Sequence, residues 1–345
     1  MRFSIITPVY NVENYIRRCM ASVAAQTFRD YEVIVIDDGS TDDSMVVVNE
    51  FALQDPERFR ILHQENKRQG AARNAGIAIA RGEYLIFLDS DDYIAPNMLE
   101  DFDRILSEKD CDIFIFNMHR VTEQGEFLSC YQMPLADGTY TDTSAERASF
   151  WKIHAAPITK AVKRSFFEDI QVPFPERMLF EDVVTYLWLM KAKRIEIRNL
   201  PRYFYVKRES STVHQIDVST QYDLIRSLEV LRQRLIEDQM YEIERDCHEA
   251  FILNCIYGRM EYVHKYDKKY ELKNMYGQYV KQNIPNYMEN AYLTAYQKQL
   301  LYFVCLEDDL KYRRFIRTRQ MKIFLLRFPL ISFLNRQRKK LHNRH

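Results

Sequence analysis

Three aspartates stand within four positions of the stretch 87–92, "FLDSDD", directly after an apolar run. Asp89 and Asp91 are two residues apart, so in an extended strand both carboxylates face the same side. Carboxylate oxygens suit Mg²⁺ or Mn²⁺, and a cation with one or two protein ligands completes its shell with water and substrate phosphates. The stretch therefore indicates a divalent-cation site, although a solvated turn and helix cap before Pro96 would explain the same residues.

Two further polar clusters could contact other parts of a ligand. In the segment 37–42, Asp38 could accept a hydrogen bond from a nucleobase N–H, or the Ser, Thr and Asp residues could simply cap the next helix. In the segment 66–76, two glycines permit close backbone approach, and a helix N-terminus carrying Arg73 favours anions such as a pyrophosphate. A glycine-flanked helix with one exposed arginine is the ordinary alternative.

Short apolar runs alternate with helical patterns in the first part of the chain. The runs are typical of strands buried on both faces, and they predict strands at 3–8, 31–37, 59–64, 83–89 and 111–118. The alternation predicts an α/β fold with a doubly wound, mostly parallel sheet flanked by helices. Ligands of such sheets bind beyond the carboxyl ends of the strands, where the polar clusters lie.

The regular alternation of strand and helix patterns ends at about residue 140. The stretch "MLFEDVVTYLWLMKAK" predicts a helix that opens on two acids, and the chain is helical in pattern from about residue 215. We therefore expect three parts: an α/β domain at 1–215, a helical C-terminal region at 216–309, and a basic amphipathic tail at 310–345.

Cysteine usage and the N-terminus bear on the compartment. The six cysteines lie far apart without a C-x-x-C pair, which argues against a structural zinc site and suits a reducing environment. The N-terminus lacks a signal-peptide pattern, and no run of 18 apolar residues predicts a membrane span. The expected location is the cytoplasm.

The zero net charge hides an asymmetry. Of the 49 Lys and Arg residues, 12 lie after residue 309, where Asp and Glu are absent. Residues 1–309 therefore carry 37 basic and 49 acidic residues. Bulky apolar residues alternate with the cations of this tail, which predicts peripheral attachment to the anionic inner leaflet of the cell membrane. A helix docked on the acidic body or on a second subunit is the alternative, and nucleic-acid binding fits poorly.

Taken in order, four motifs resemble those of the family-2 glycosyltransferases: "SIITPVYN", "VIVIDDGSTD", "GAARNAGIAIARGEYLIFLDSDD" and "FEDVVTYLW". The resemblance covers residues 1 to about 215, and it implies that this part is a nucleotide-sugar-binding and catalytic domain. It implies the GT-A fold and inverting transfer of a sugar from a nucleotide-sugar donor, expected to be a UDP-sugar. It also implies a Mn²⁺ or Mg²⁺ cofactor.

The resemblance implies roles for individual residues. Asp89 and Asp91 match the metal motif, with Asp91 as the direct ligand and Asp89, with the adjacent Ser90, nearer the ribose or donor sugar. Asp182 matches the general base, and Glu181 beside it would be a second carboxylate of the acceptor site. Asp38 would hold the uracil ring, and it belongs to the group that would contact the base, ribose and diphosphate: Pro8, Val9, Tyr10, Asp38, Asn66, Gly70, Arg73 and Asn74.

Two segments match the family less closely. Lys160 fits the segment ahead of the base, but Ile158 and Thr159 replace the usual residues there. The stretch 204–212, "FYVKRESST", resembles the family's mobile loop over the donor. In that loop Lys207 or Arg208 would take the basic role, with Ser211 following.

The predicted function is transfer of a sugar to a hydroxyl group of a saccharide or lipid-linked saccharide of a bacterial surface polysaccharide or glycolipid. A nucleotidyltransferase would favour a Gly-rich turn after the first strand, and "TPVYNVENY" contains no glycine. An inactive nucleotide-sugar-binding or membrane scaffold would predict loss of Asp91 or Asp182, and both are present. A homo-oligomer stays open, since the Tyr-rich helices could pack internally or between subunits.

Overall fold

The computed structural model describes residues 1–141, 144–208, 218–263, 267 and 269–327. The chain divides into two compact units, residues 1–244 and residues 245–345. The predicted boundary at residue 215 lies outside the described residues, and the three predicted domain ranges stay predictions.

Ten strands of the described residues form one sheet in the order β3-β2-β1-β4-β9-β6-β10-β5, with β7 on β6 and β8 on β10. All five predicted strands are present within a few residues of their predicted bounds. The strands are β1 Phe3–Val9, β2 Tyr31–Asp37, β3 Phe59–His63, β4 Tyr84–Phe87, β5 Tyr93–Ile94, β6 Ile113–Val121, β7 Phe127–Cys130, β8 Gly138–Tyr140, β9 Lys160–Lys163 and β10 Ile195–Val206.

The first four strands along the sheet are parallel. Every residue of β1 and β2 is buried, and β1 pairs in parallel with both β2 and β4. Val9 lies opposite Asp37, and Asp37 lies opposite His63 on β3. The carboxyl ends of these strands therefore meet at one edge of the sheet, where the sequence predicts a ligand site.

The other half of the sheet is mixed. Strand β9 runs antiparallel between β4 and β6, and β10 is parallel to β6 but antiparallel to β5 and β8. The predicted α/β class with flanking helices is confirmed, and the sheet contains more antiparallel pairing than strand–helix alternation indicates. Because β9 has only four residues, no periodicity reveals it, and its stability comes from partners on both sides. Its first residue, Lys160, lies at the carboxyl end of β4.

The helices of the first unit cover the sheet. On α1 the buried residues Ile16, Cys19, Met20 and Val23 follow the spacing of one helical face. The helices are α1 Glu13–Ala24, α2 Ser44–Gln54, α3 Arg68–Ile79, α4 Met98–Glu108, α5 Arg147–Phe150, α6 Arg164–Ile170, α7 Thr185–Lys191 and α8 Val218–Glu237, with 3₁₀ turns at Pro157–Thr159 and Glu181–Val184. Helix α9 Tyr241–Val263 begins in the first unit, and most of its residues belong to the second.

The second unit is helical, as predicted. After α9 it contains α10 Glu271–Asn283, α11 Ala295–Cys305 and α12 Asp309–Arg327. Thr294 and Gln297 form a reciprocal capping box at the start of α11. None of the helices described is long and apolar enough to cross a bilayer.

Candidate active site

The turn after β2 is fastened to the loop after β3. Asp38 is 3% exposed, and its Oδ1 accepts hydrogen bonds from Gln64 Nε2 at 2.7 Å and from the Lys67 backbone N–H at 2.9 Å. Burial would raise the pKa of Asp37, but hydrogen bonds from Ser40 and His63 outweigh it and lower that pKa. Asp38 therefore holds the loop at 64–67 in place, and its contact with a uracil ring stays a prediction.

The other residues predicted around the base lie at the same edge. Pro8 and Val9 are buried within β1, and Tyr10, just beyond it, is exposed. The Val9 carbonyl accepts the Asp38 N–H at 2.8 Å. Asn66 is exposed, and its Oδ1 accepts the Arg68 N–H at 3.2 Å. Tyr10 and Asn66 thus offer accessible side chains beside the turn that Asp38 closes.

Arg73, on α3, joins three carboxylates in the interior. Its Nη2 donates to Asp89 Oδ1 at 3.0 Å, and its Nη1 donates to Glu181 Oε1 at 2.8 Å and to Asp182 Oδ1 at 3.0 Å. The arginine side chain is 1% exposed, and its guanidinium lies 5.2 Å from the centre of the Phe174 ring. The donor-site and base candidates, far apart in sequence, therefore meet at one buried cation.

The structure gives Gly70 and Asn74 contacts other than those implied by the resemblance. A Cβ at Gly70 would collide with the Pro175 carbonyl oxygen. Asn74 Nδ2 donates to the Phe174 carbonyl at 2.8 Å, and its Oδ1 accepts the Phe174 N–H at 2.9 Å. Both residues brace the segment that leads to Glu181, and the exposed arginine considered above is instead buried.

We expect Gly70→Ala to destabilise the protein by about 1–3 kcal/mol, because the added methyl group overpacks against a backbone carbonyl. Gly258→Ala is the matched control: it also lies within a helix, and nothing is within 4 Å of its added Cβ. Urea unfolding measures both variants. Equal free energies of unfolding for the two would contradict the packing role of Gly70.

The three aspartates of "FLDSDD" have three different environments. Asp92 is 1% exposed and accepts hydrogen bonds from the Tyr203 hydroxyl at 2.7 Å and the Val206 N–H at 2.8 Å. The Tyr203 hydroxyl in turn accepts the Asp89 N–H at 3.1 Å. Gln69 Nε2 donates to Asp89 Oδ1 at 2.7 Å. Asp92 is thus structural, and β10 holds the loop that carries Asp89 and the buried Ser90.

Asp91 pairs with a cation from the end of β10. Arg208 Nη2 lies 2.6 Å from Asp91 Oδ2, and its guanidinium lies 5.1 Å from the centre of the Tyr15 ring. Burial raises the pKa of Asp91 to about 6, although Arg208 acts in the opposite direction. Lys207 is exposed, so Arg208 is the one of the two predicted cations that contacts the acidic loop. Ser211 lies outside the described residues.

Glu181 and Asp182 begin the 3₁₀ turn, after Phe180 in the left-handed region at φ 61°. Burial, and then the neighbouring Asp182, raise the pKa of Glu181. The Asp182 side chain is 32% exposed, compared with 7% for Glu181. An acceptor can therefore reach Asp182, whereas Glu181 faces the interior. The role of Glu181 as a second carboxylate of the acceptor site stays a prediction.

Lys160 lies buried beside this turn. Its Nζ donates to the carbonyls of His154 at 2.7 Å and Ala156 at 2.9 Å. Burial lowers the pKa of Lys160 to about 7, and the Asp182 carboxylate opposes that effect. Two buried basic groups, Arg73 and Lys160, therefore interact electrostatically with the Asp182 carboxylate.

Known glycosyltransferases are similar to this chain in sequence. The family model described as glycosyl transferase family 2 matches residues 4–170. Glycosyltransferase GlyG of Streptococcus pneumoniae is 32% identical over 233 residues, which are 64% of this chain and 76% of GlyG. The chain belongs to glycosyl transferase family 2. A second similar protein, the putative glycosyltransferase EpsH of Bacillus subtilis, is 34% identical over 61% of this chain and 62% of its own length.

A solved structure matches the fold of this family-2 enzyme. The crystal structure of Staphylococcus aureus TarS residues 1–349 in complex with UDP-GlcNAc superposes with a TM-score of 0.74 at 22% identity. The match covers 93% of this chain and 92% of the TarS chain. It confirms the GT-A fold predicted from the motifs.

The donor set of the family-2 site is compatible with a divalent cation only in part. Among the residues that the structure describes, no group of three or more His, Cys, Asp or Glu could hold a metal ion. Asp91 and Asp89 offer carboxylate oxygens at the strand end, which suits a cation that takes its other ligands from phosphates and water. One oxygen of Asp91 is also paired with Arg208.

Three side chains of the site escaped prediction: Gln64, Gln69 and Tyr203. The glutamines lie at unremarkable positions before and in α3, and only their distances to Asp38 and Asp89 reveal a role. Tyr203 lies in the aromatic run of β10 that precedes the cations, but no spacing rule links it to residues more than 100 positions earlier.

Proposed function

We propose that this enzyme transfers a sugar from a UDP-sugar to a hydroxyl group of a saccharide or lipid-linked saccharide, with inversion, in the synthesis of a bacterial surface polysaccharide or glycolipid. Family membership supports the reaction class. The UDP-GlcNAc held by TarS supports the donor class. TarS is named as a poly(ribitol-phosphate) β-N-acetylglucosaminyltransferase, which supports a polymeric, hydroxyl-rich acceptor.

One observation carries the proposal: the Arg73 guanidinium binds both Asp89 and Asp182, each at 3.0 Å. Asp89 lies at the carboxyl edge of the parallel strands, which we call the donor edge, and Asp182 belongs to the last of the four sequence motifs. A base for the acceptor and a carboxylate for the donor are therefore held at one centre. Direct attack needs that arrangement, because the acceptor oxygen and the leaving group act on the same carbon.

Asp182 is the residue that would take the proton of the acceptor hydroxyl. It is the accessible member of the acid pair, and its Oδ1 lies 3.0 Å from Nη1 of Arg73. An accessible carboxylate can act as a general base, whereas the interior Glu181 cannot meet the acceptor. Because one base and a single displacement suffice, an α-linked donor would give a β-linked product.

Asp91 and Asp89 are the residues that would hold Mn²⁺ or Mg²⁺. When bound, the cation would neutralise negative charge that develops on the departing diphosphate. Arg208 pairs with Asp91 and lies over the Tyr15 ring, so a cation held by Asp91 would compete with Arg208 for this carboxylate.

Arg208→Ala should strengthen binding of Mn²⁺ in the absence of nucleotide by about two- to fivefold, because a partly exposed ion pair worth up to about 1 kcal/mol no longer competes. Lys207→Ala is the matched control, since it removes the same charge from an exposed side chain next door. Manganese titration followed by electron paramagnetic resonance measures the affinity. Unchanged affinity in Arg208→Ala would mean that Arg208 and the cation do not share Asp91.

The basic tail supports the further proposal of a membrane-bound acceptor. The part of α12 whose side chains are described exposes Lys311, Arg313, Arg314 and Arg317, and cations of this density attract anionic lipid. The apolar residues from Ile323 to Leu334 lie in the part of the tail whose side chains are not described. Localisation at the inner face of the membrane, like oligomeric state, stays a prediction.

Calorimetric titration with UDP, GDP, CDP and dTDP, each with Mn²⁺ and with EDTA, tests the donor class. We expect metal-dependent binding that is selective for UDP. Release of UDP from UDP-GlcNAc and UDP-glucose in the absence of acceptor then tests for catalysis, with water as the attacking hydroxyl. Indifference to all four nucleotides would refute the proposal, and binding without UDP release would favour the inactive scaffold.

A further inference from the structure

One face of helix α3 contacts the segment 174–182, which carries the proposed base Asp182. Gly70, Arg73 and Asn74 are spaced i, i+3 and i+4, so they lie on the same side of the helix. Gly70 admits the Pro175 carbonyl, Asn74 makes two hydrogen bonds with the Phe174 backbone, and Arg73 binds Glu181 and Asp182. Three neighbouring residues of α3 thus pack against or bind one stretch of chain about 100 residues later.

Arg73 also connects this stretch to Asp89 at the donor edge. Its two terminal nitrogens are divided: Nη1 serves the Glu181–Asp182 pair, and Nη2 serves Asp89. A guanidinium is planar and rigid, so bonds to both of its terminal nitrogens set the relative position of the groups that accept them. With 1% of its side chain exposed, Arg73 lacks the access that contact with a diphosphate requires.

We propose that Arg73 is a positioning residue that sets the geometry between the general base Asp182 and the donor-site residue Asp89, and that it does not bind the diphosphate. This assignment rests on the proposed function. Gly70 and Asn74 support it by holding the base segment against α3. The glycine-flanked helix start, which by sequence indicates a pyrophosphate cradle, is in this protein a support for the base.

Arg73→Lys separates the two roles, because lysine keeps the positive charge but cannot bridge the three carboxylates in the same plane. We expect the rate of UDP release from UDP-GlcNAc or UDP-glucose, whichever the wild type uses faster, to fall about 10- to 100-fold, since misplacement of catalytic groups by about 1 Å costs about that much. The dissociation constant for UDP with Mn²⁺, measured by calorimetry, should change by less than about threefold.

Arg60→Lys is the matched control. Arg60 on β3 also pairs with a buried carboxylate, Glu32, at 3.2 Å, but it contacts none of the site residues. If the loss of rate came from weakening any arginine pair with a buried carboxylate, both variants would show it. We expect Arg60→Lys to keep the wild-type rate.

Asn74→Ala keeps the assignment testable if Arg73→Lys does not fold. It removes the two bonds to Phe174 and leaves Arg73 and all three carboxylates in place. We expect a smaller fall in rate, about three- to tenfold, again with unchanged UDP affinity, because the base segment loses one of its anchors.

Two results would overturn the assignment. A tenfold or greater loss of UDP affinity in Arg73→Lys, with or without a loss of rate, would place Arg73 at the diphosphate. A wild-type rate in Arg73→Lys would remove any role in positioning. Failure of the proposed function is a separate result, seen in the wild type alone as absence of UDP binding or UDP release.

Discussion

Asp182→Asn should lower the rate of UDP release from the UDP-sugar by about 10²- to 10⁴-fold, the usual contribution of a general base. Asparagine has nearly the same shape but cannot accept the proton of the attacking hydroxyl. Its Oδ1 can still accept a hydrogen bond from Arg73, so the turn at 181–184 should keep its conformation. The UDP dissociation constant should therefore stay within about twofold of the wild-type value. Rate and calorimetric affinity, measured on the same preparation, separate the two effects.

Two variants control for charge and burial. Asp169→Asn removes one carboxylate from an exposed position on α6 and should leave the rate unchanged. Glu181→Gln removes the interior carboxylate of the pair, and its effect on rate should be smaller than that of Asp182→Asn, because Glu181 does not face the acceptor. A rate in Asp182→Asn above about one tenth of the wild type would exclude Asp182 as the base.

Asp91→Asn should abolish the metal-dependent part of UDP binding and lower the rate of UDP release by about 10²- to 10³-fold. A metal that stabilises developing charge contributes several kcal/mol to the transition state, and each factor of ten corresponds to about 1.4 kcal/mol. The substitution removes one anionic ligand and leaves Arg208 without its partner. Calorimetry of UDP with Mn²⁺ and with EDTA should then give the same affinity for the variant, but different affinities for the wild type.

Asp92→Asn distinguishes a ligand from a structural acid one residue away. Since Asp92 accepts from Tyr203 and the Val206 backbone, its replacement should lower the melting temperature, whereas Asp91→Asn should not. Exposed Asp169→Asn again serves as the charge control. Retained metal dependence in Asp91→Asn would show that the cation, if bound, does not use this carboxylate.

Much of the donor edge follows from local sequence. The runs at 3–8, 31–37 and 83–89 are almost wholly apolar, and such runs form strands buried on both faces. The polar residues that follow these strands then fall at the carboxyl edge of the sheet because the strands are parallel, so the sequence alone predicts Asp38, Asp89 and Asp91 at this edge. Parallel pairing of β1 with β2 and β4 adds only the register.

Other features depend on contacts between distant segments. Strand β9 is too short for a periodic pattern and exists because β4 and β6 pair with it from both sides. Tyr203 is one tyrosine among many until β10 brings its hydroxyl to Asp89 and Asp92. Arg208 likewise acquires its role only through the end of β10.

The helix at 68–79 shows most clearly the difference between what the local sequence predicts and what the folded structure decides. Its glycines and its arginine can be read from the sequence, and a helix N-terminus with these residues favours binding of an anion. Burial decides otherwise, because a guanidinium that is 1% exposed and surrounded by Asp89, Glu181 and Asp182 is already satisfied by carboxylates. Residue types and spacing predict which side chains carry the chemistry of this family-2 enzyme. Which of them face the substrate and which hold the others in place is decided by long-range packing, since burial and partnership are properties of the folded chain.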